Sequence, residues 1–430
     1  MNETNSHCRQ QRYGVLLLIF ILTVISFLPT FTNGFQLDWD DQWMVVNSQT
    51  VGHWNKYLLL SIFMNPSHGQ LAPINQLMYT ALYRAFGFNP LAFHIASIVL
   101  HLVNVYLLYV GLRIVLRDCT QLPSWRIEWI VVITTLLFAI HPVQVESVAW
   151  VSASKIPLST TFYFIGAILL IIYIREKRWG SYAGVLLMQL MAYLSKEQAV
   201  VFPLFAALLF VWYGIRPRSK NFWVGLLPIG VLGLACVAHE VFYVSNYDQY
   251  IQGDTYAWWQ RIVFCVYSIM TYFFKWLVPI NLNWMYLFPM EIGERMPWWL
   301  MLYPAFVFLL VFAFWKELKK PLVLSALAFF FIHLLLVIHI TALPRASVVA
   351  DRYLYVSIIS LNFLLAYFLT GLRGWLKRPK MTVAILSVII VLLAGMSYDR
   401  TKDWKDSKTL KSVYAVENSF SEQSVTETHD

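Results

Sequence analysis

Apolar residues run along this chain in long blocks rather than in alternation with polar ones. Twelve blocks stand out, at 13–31, 91–112, 127–141, 157–174, 181–195, 199–214, 222–242, 261–280, 297–315, 321–340, 351–370 and 380–397. Stretches of that length with few charges predict helices surrounded by lipid. Short clusters of Lys, Arg, Trp and Pro separate them. The fold class this predicts is an all-α polytopic membrane protein. The first block follows Arg9 and Arg12, but it is longer than the apolar core of a signal peptide and lacks a small-residue cleavage site, so it is read as a span.

Basic residues set the direction of the spans. Arg113/Arg117/Arg126, Arg175/Lys177/Arg178, Arg216/Arg218/Lys220, Lys316/Lys319/Lys320 and Arg373/Lys377/Arg378/Lys380 are all expected on the inner side. Strict alternation of twelve crossings breaks this pattern after residue 260. The expectation is therefore about eleven transmembrane helices plus one re-entrant or interfacial helix, the block at 261–280. Residues 1–397 then form one membrane domain, and 398–430 a short tail on the outer side. The outer face receives a long first loop (32–90), the turn at 142–156, Ser195–Gln198, the region 243–296 and the loop at 341–350.

Composition narrows the function classes. At 59% hydrophobic and 13% charged, the chain carries half the roughly 25% of charged residues usual in soluble domains. A soluble enzyme, a nucleic-acid module and a disulfide-stapled secreted domain are excluded. The net charge of +9 is dispersed between spans and is no nucleic-acid footprint. Cys8, Cys119, Cys236 and Cys265 match no metal or redox spacing. No Gly-rich phosphate loop precedes a helix, so nucleotide chemistry on the inner side is not expected.

A few polar residues are not explained by hydrophobic patterning. Asp40 and Asp41 adjoin each other just after the first span. They read either as a cap for the next helix or as a general base beside the bilayer, able to take a proton from a hydroxyl. His141-Pro142 ends the third span, and Glu146 follows among Val, Ala and Trp, with Trp150 one helical turn on. Lys155 closes this stretch. Lys196-Glu197 forms a charged knot between two apolar blocks, either a cap or an anion contact. Arg345 and Arg352 stand on the outer side, where basic residues are scarce. Arginine suits phosphate recognition, with Asp351 as a partner that would orient Arg352. The alternative is an Asp351–Arg352 pair holding two helices together. His94 and His101 share a face of the second span with Asn104, either as helix-to-helix hydrogen bonds or as part of a metal site lacking a third ligand.

These motifs, in this order, resemble the GT-C superfamily of polyprenyl-phosphate-sugar-dependent glycosyltransferases. Within it the chain looks most like the relatives of transmembrane-and-tetratricopeptide-repeat O-mannosyltransferases. The resemblance runs from about Asp38 to Leu410. It rests on Trp39-Asp40-Asp41-Gln42, on the stretch from His141 to Ser152, on Ala350-Asp351-Arg352-Tyr353-Leu354-Tyr355, and on Trp404, Asp406, Ser407, Thr409 and Leu410. Departures include Ala153-Ser154 before Lys155, where many bacterial relatives have Glu-Arg, and Leu71-Ala72-Pro73, where His or Arg often precedes the proline. The tetratricopeptide repeats do not follow the last span in this sequence.

The resemblance implies a GT-C-like bundle with its active site on the outer face. It implies an inverting transfer of a hexose, with mannose the family expectation, from a polyprenyl phosphate to a hydroxyl of a protein or glycan acceptor. Asp40 would serve as the base, with Asp41 beside it, and His141 and Glu146 would orient acceptor or sugar. Arg352, Arg345, Lys196 and Lys155 would hold the donor phosphate, backed by Asp351, Glu197 and His94. No cofactor or metal is required, although some superfamily members use a divalent ion. The partners implied are the lipid-linked sugar, the acceptor and membrane lipids, with no nucleic acid. A bacterial inner membrane with a periplasmic site is expected first, and the endoplasmic reticulum second. The competing class is a transporter or flippase of a lipid-linked or small anionic substrate. Such proteins show repeated broken spans in two halves, and the motifs before residue 220 have no counterparts after it.

Overall fold

The computed structural model describes residues 2–52, 61–63, 70–246, 256–340, 347–372 and 379–413. Each of the twelve apolar blocks falls on helix. In chain order the helices are α1 (Asn2–Ser26), α2 (Pro73–Phe86), α3 (Pro90–Cys119), α4 (Ser124–Ile140), α5 (Val145–Ala149), α6 (Lys155–Glu176), α7 (Trp179–Ser195) and α8 (Phe202–Trp212). They continue as α9 (Lys220–Asn246), α10 (Trp258–Leu277), α11 (Leu302–Ala313), α12 (Trp315–Leu318), α13 (Pro321–Leu334), α14 (Leu354–Gly371) and α15 (Pro379–Asp403). Among the described residues there is no named strand, only an isolated bridge between Tyr286 and Val349.

Proline starts several of these helices, at α2, α3 and α13, where its missing N–H has no helical partner to lose. Asn89 caps α3 by accepting from the backbone of Leu91 at 3.2 Å. α4 stops where Pro142 excludes helical geometry at His141, and the chain turns by 50° into the short stretch Pro142–Ala149. α6 packs along α7, α4 and α3 along each other, and α14 against both α4 and α13. The packing is close: a Cβ added to Gly233 of α9 would lie 2.5 Å from the Pro203 ring of α8.

Five helical stretches are long and apolar enough to cross a bilayer, or six if the bent pair at 124–149 counts as one span. Four more apolar helices are shorter, among them Pro321–Leu334. At 1.5 Å per residue that helix covers about 21 Å of a hydrocarbon core about 30 Å thick, and its ends must be completed by flanking turns. The chain is a multi-pass membrane protein.

The two ends of the bundle differ sharply. At one end Glu128 gathers Arg12, Arg113 and Arg117, Asp118 meets Arg175 and Tyr213, and Arg126 donates to the Tyr367 carbonyl. Lys320 lies in the field of the same Tyr367 and Arg126. The basic clusters at 12, 113–126, 175 and 320 thus share an end. The sequence motifs meet at the other. α10 also packs among motif residues, where the Trp276 carbonyl accepts from His141, the Val348 carbonyl accepts from Ser268, and the Tyr272 hydroxyl accepts from the Ala350 backbone.

Candidate functional site

The site is organised around the loop after α1. Its backbone is tied to the end of α15 and the turn beyond. The Asn33 amide donates to the Thr401 carbonyl at 3.0 Å, Gly34 N to the Lys405 carbonyl at 2.8 Å, and the Gln36 amide to the Trp404 carbonyl at 2.7 Å. Asp38 N donates to Ser407 Oγ at 3.0 Å. Asp406 caps the following turn through Thr409 N. The Trp404 ring stacks on Trp150 with centroids 5.5 Å apart. The closing motif of the sequence therefore serves as an anchor for the first loop.

That anchoring gives the adjacent aspartates opposite environments. Asp41 is fully buried, and its carboxylate accepts from Gln36 N at 2.8 Å, from Ser152 N at 2.8 Å and from the Ser152 hydroxyl. Burial pushes its pKa up to about 6, although these donors pull the other way and Asp40 adds repulsion. Asp41 joins the first loop to the 150–154 turn and has no open side. Asp40 is half-buried. Its Oδ1 accepts from the Trp43 indole at 3.2 Å, and its charge is felt by both Lys155 and Arg352.

The turn after α4 places the next group. His141 Nδ1 accepts from Val143 N and its Nε2 donates to the Trp276 carbonyl at 3.0 Å, so the ring is a buried cap. Glu146 is enclosed: Oε2 accepts from Arg352 N at 2.8 Å and Oε1 from the guanidinium at 2.5 Å. Glu146 therefore holds Arg352 rather than facing an acceptor or sugar. The expected Asp351–Arg352 pair is not formed. Asp351 is buried, accepts from the Tyr286 hydroxyl at 2.8 Å and interacts electrostatically with Arg400. The 3₁₀ turn Asp351–Tyr353 sends adjacent side chains in different directions. The Arg352 guanidinium also lies 5.6 Å from the Trp150 ring centroid and 5.0 Å from that of Tyr353.

Lys155 and Lys196 complete a cationic cluster with Arg352, each within electrostatic range of Lys155. Lys155 Nζ donates to Gln70 Oε1 at 2.5 Å, and Lys196 pairs with Glu197. Lys196, Arg352 and Gln198 line a small polar cavity of about 40 Å³, walled by Ser159, Thr160 and Tyr355. Along the same helices towards the basic end lies an apolar cavity of about 140 Å³, between α3, α6, α8, α13 and α14. Arg345 lies outside the described residues.

The polar stripe on α3 is used for assembly. His94 Nε2 meets the Gly34 carbonyl at 3.4 Å, so it lies under the first loop. His101 contacts the Tyr355 hydroxyl at 2.8 Å and the Ala139 carbonyl at 3.1 Å, and Asn104 donates to the Pro157 carbonyl at 2.8 Å. Among the described residues no group of three His, Cys, Asp or Glu is placed to hold a metal ion. Gln36, Gln70 and Trp43 were not singled out from the sequence. A lone amide or indole in a loop carries no local pattern, and only the fold shows that it touches Asp41, Lys155 or Asp40.

No family model matches the chain. A protein O-mannosyl-transferase of Caenorhabditis elegans is 23% identical over 430 aligned residues, covering 94% of this chain and 58% of that protein. Protein O-mannosyl-transferase Tmtc1 of Drosophila melanogaster is 27% identical over 186 residues, covering 42% of this chain and 20% of the relative. Protein O-mannosyl-transferase TMTC1 of Homo sapiens is 30% identical over 120 residues, covering 26% and 13%. Among solved structures, ArnT from Cupriavidus metallidurans bound to undecaprenyl phosphate superposes with a TM-score of 0.46 at 13% identity, covering 87% of this chain and 63% of that one. In sequence, the chain resembles the protein O-mannosyl-transferases of the TMTC type and spans 58% or less of each of these three relatives.

Proposed function

We propose that this protein is an inverting glycosyltransferase that moves a hexose from a polyprenyl phosphate to an acceptor hydroxyl at the motif end of the bundle. One observation carries the reading: the half-buried carboxylate Asp40 lies in the field of the cations Lys155 and Arg352. Arg352 and Lys196 line a polar cavity, and an apolar one lies beyond it on the same helices. A sugar linked through phosphate to a long apolar chain has the matching order of chemistry.

In this mechanism the donor phosphate sits against Arg352 and Lys196, with its lipid directed along α6 and α14. Asp40 takes the proton of the acceptor hydroxyl. The freed oxygen attacks the anomeric carbon from the face opposite the phosphate. The bond to the phosphate oxygen breaks, and the polyprenyl phosphate leaves with the electron pair. Arg352 and Lys196 stabilise the charge that grows there, the main electrostatic demand of the step. Asp41 and Glu146 act behind the site, the first fixing the loop that carries Asp40 and the second fixing Arg352. The relatives named as protein O-mannosyl-transferases support mannose as the sugar and a protein hydroxyl as the acceptor. The motif end is assigned to the outer, non-cytosolic side, because the opposite end carries the basic clusters.

The test is transfer by the purified full chain in nanodiscs, supplied with radiolabelled polyprenyl-phosphate mannose and a mixed pool of peptides and glycans. Label is expected on an acceptor with the wild type, and on none with Asp40→Asn. Equal transfer by a folded Asp40→Asn variant overturns the assignment of the base. Donor that binds without transfer to any acceptor, and crosses sealed vesicles instead, overturns the enzyme reading in favour of transport.

A further inference from the structure

The polar and apolar cavities are neighbours on three helices but are separated. On α6 the polar cavity ends at Tyr163 and the apolar one begins at Phe164. On α13 the boundary falls between His333 and Phe329, and on α14 between Val356 and Ile359. The residues at the boundary are bonded to each other across the gap. His333 Nδ1 lies 2.8 Å from the Phe329 carbonyl, one turn back on its own helix, and its Nε2 lies 2.9 Å from the Tyr163 hydroxyl. A carbonyl only accepts, so Nδ1 carries the ring proton, Nε2 is the acceptor, and Tyr163 is the donor. Aromatic rings pack around the bond: Phe202 and Phe205 lie 4.9 and 5.4 Å from the Tyr163 ring, and Phe329 lies 4.1 Å from the His333 ring.

Resting on the donor reading above, we propose that the Tyr163–His333 pair is a gate and a ruler for the donor lipid. On this path a chain whose phosphate sits at Arg352 enters the apolar cavity between these two side chains, which requires breaking their hydrogen bond. The pair thereby sets a cost that only a tail long enough to fill the apolar cavity can offset. A tail of a single isoprene unit ends above the bond, whereas a long polyprenyl chain passes it and is repaid by burial between Phe164, Phe329 and their apolar neighbours. Beyond the pair the cavity is lined mostly by Leu, Ile and Phe side chains, so the Tyr163–His333 bond marks the boundary between the two linings.

The bond belongs to the closed arrangement, so removing it lowers the cost of opening. A net hydrogen bond of ordinary strength corresponds to about a fivefold change in an equilibrium constant. The experiment measures binding of undecaprenyl phosphate and of dimethylallyl phosphate, both without sugar, to the full chain in nanodiscs. For Tyr163→Phe the ratio of long-chain to short-chain affinity is expected to rise about fivefold. His333→Phe, which keeps an aromatic ring of similar size, is expected to raise it similarly. The double variant should add little to either, because both remove the same bond. An unchanged or lowered ratio in both single variants overturns the gate, as does full additivity in the double variant. Arg352→Ala separates this outcome from failure of the donor reading. If the wild type binds undecaprenyl phosphate with no loss in Arg352→Ala, the donor site itself is wrong. If binding depends on Arg352 but not on the pair, the donor site stands and the gate falls.

Discussion

Arg352 and Glu146, 206 positions apart, are joined at two points: the Arg352 backbone N–H to one carboxylate oxygen and its guanidinium to the other. The carboxylate is 1% exposed and the guanidinium side chain 25%. The acid is therefore spent on holding the base, and only the base has a face towards the polar cavity.

Removing one member of such a buried pair strands the other. Glu146→Ala is expected to destabilise the protein by about 3–5 kcal/mol, because the guanidinium loses its compensating charge. Glu146→Gln keeps an acceptor for the backbone N–H and should cost less. Thermal unfolding in detergent distinguishes them. Equal melting of Glu146→Ala and the wild type would mean the pair bears no structural load.

The two aspartates should separate cleanly under substitution. Asp40→Asn is expected to keep wild-type melting and lose about 10² to 10⁴ in turnover, the usual range for a general base. Asp41→Ala leaves the Gln36 and Ser152 donors without their shared acceptor, and should lower stability first. The reverse pattern, with Asp40 needed for folding and Asp41 dispensable to it, contradicts the division of labour described here.

Asp41 also implies a pH dependence with a definite sign. Its folded pKa stands at about 6 against the ordinary 3.8, so the folded protein holds this proton more tightly than the unfolded chain. The resulting stability is complete below 3.8 and is lost as the pH rises through about 6. Two units correspond to about 3 kcal/mol. Asp41→Asn cannot ionise, so the melting advantage of wild type over this variant should shrink between about pH 4 and pH 7. A constant difference across that window rules the linkage out.

Trp404 is expected to behave as an anchor rather than a reactant. Trp404→Ala removes a side chain stacked on Trp150 and nearly fully buried, a change that costs about 3–5 kcal/mol in well-packed interiors. Ser407→Ala removes only the bond to Asp38 N, worth about 1 kcal/mol. Limited proteolysis of the first loop should follow the same order. Protection unchanged in Trp404→Ala would show that the loop is held by something else.

The helical blocks were legible because a lipid environment imposes one rule on every residue of a span, and long apolar runs record it directly. The motifs were legible for the same reason in reverse: charged groups among Val, Ala and Trp demand an explanation. Their pairing was not legible. Asp351 stands beside Arg352 in sequence, yet the tight turn aims it at Tyr286, and the partner of Arg352 comes from α5, 206 positions earlier. Which of Asp40 and Asp41 is enclosed depends on contacts with Gln36 and Ser152, and the motif that ends at Ser152 does not say which carboxylate it meets. The Tyr163–His333 bond was hidden as well, since each residue alone reads as one more aromatic position in a span.

The anchoring of the first loop by Thr401, Trp404, Lys405 and Ser407 has a consequence for biogenesis. Asp40 leaves the ribosome well before the groups that fix its loop, which are added some 360 positions later. A nascent chain can insert helix after helix and still have no ordered carboxylate at its surface. Asp41 can already tie the loop to the 150–154 turn, but the loop's second set of anchors is complete only when α15 and the turn beyond it are in place.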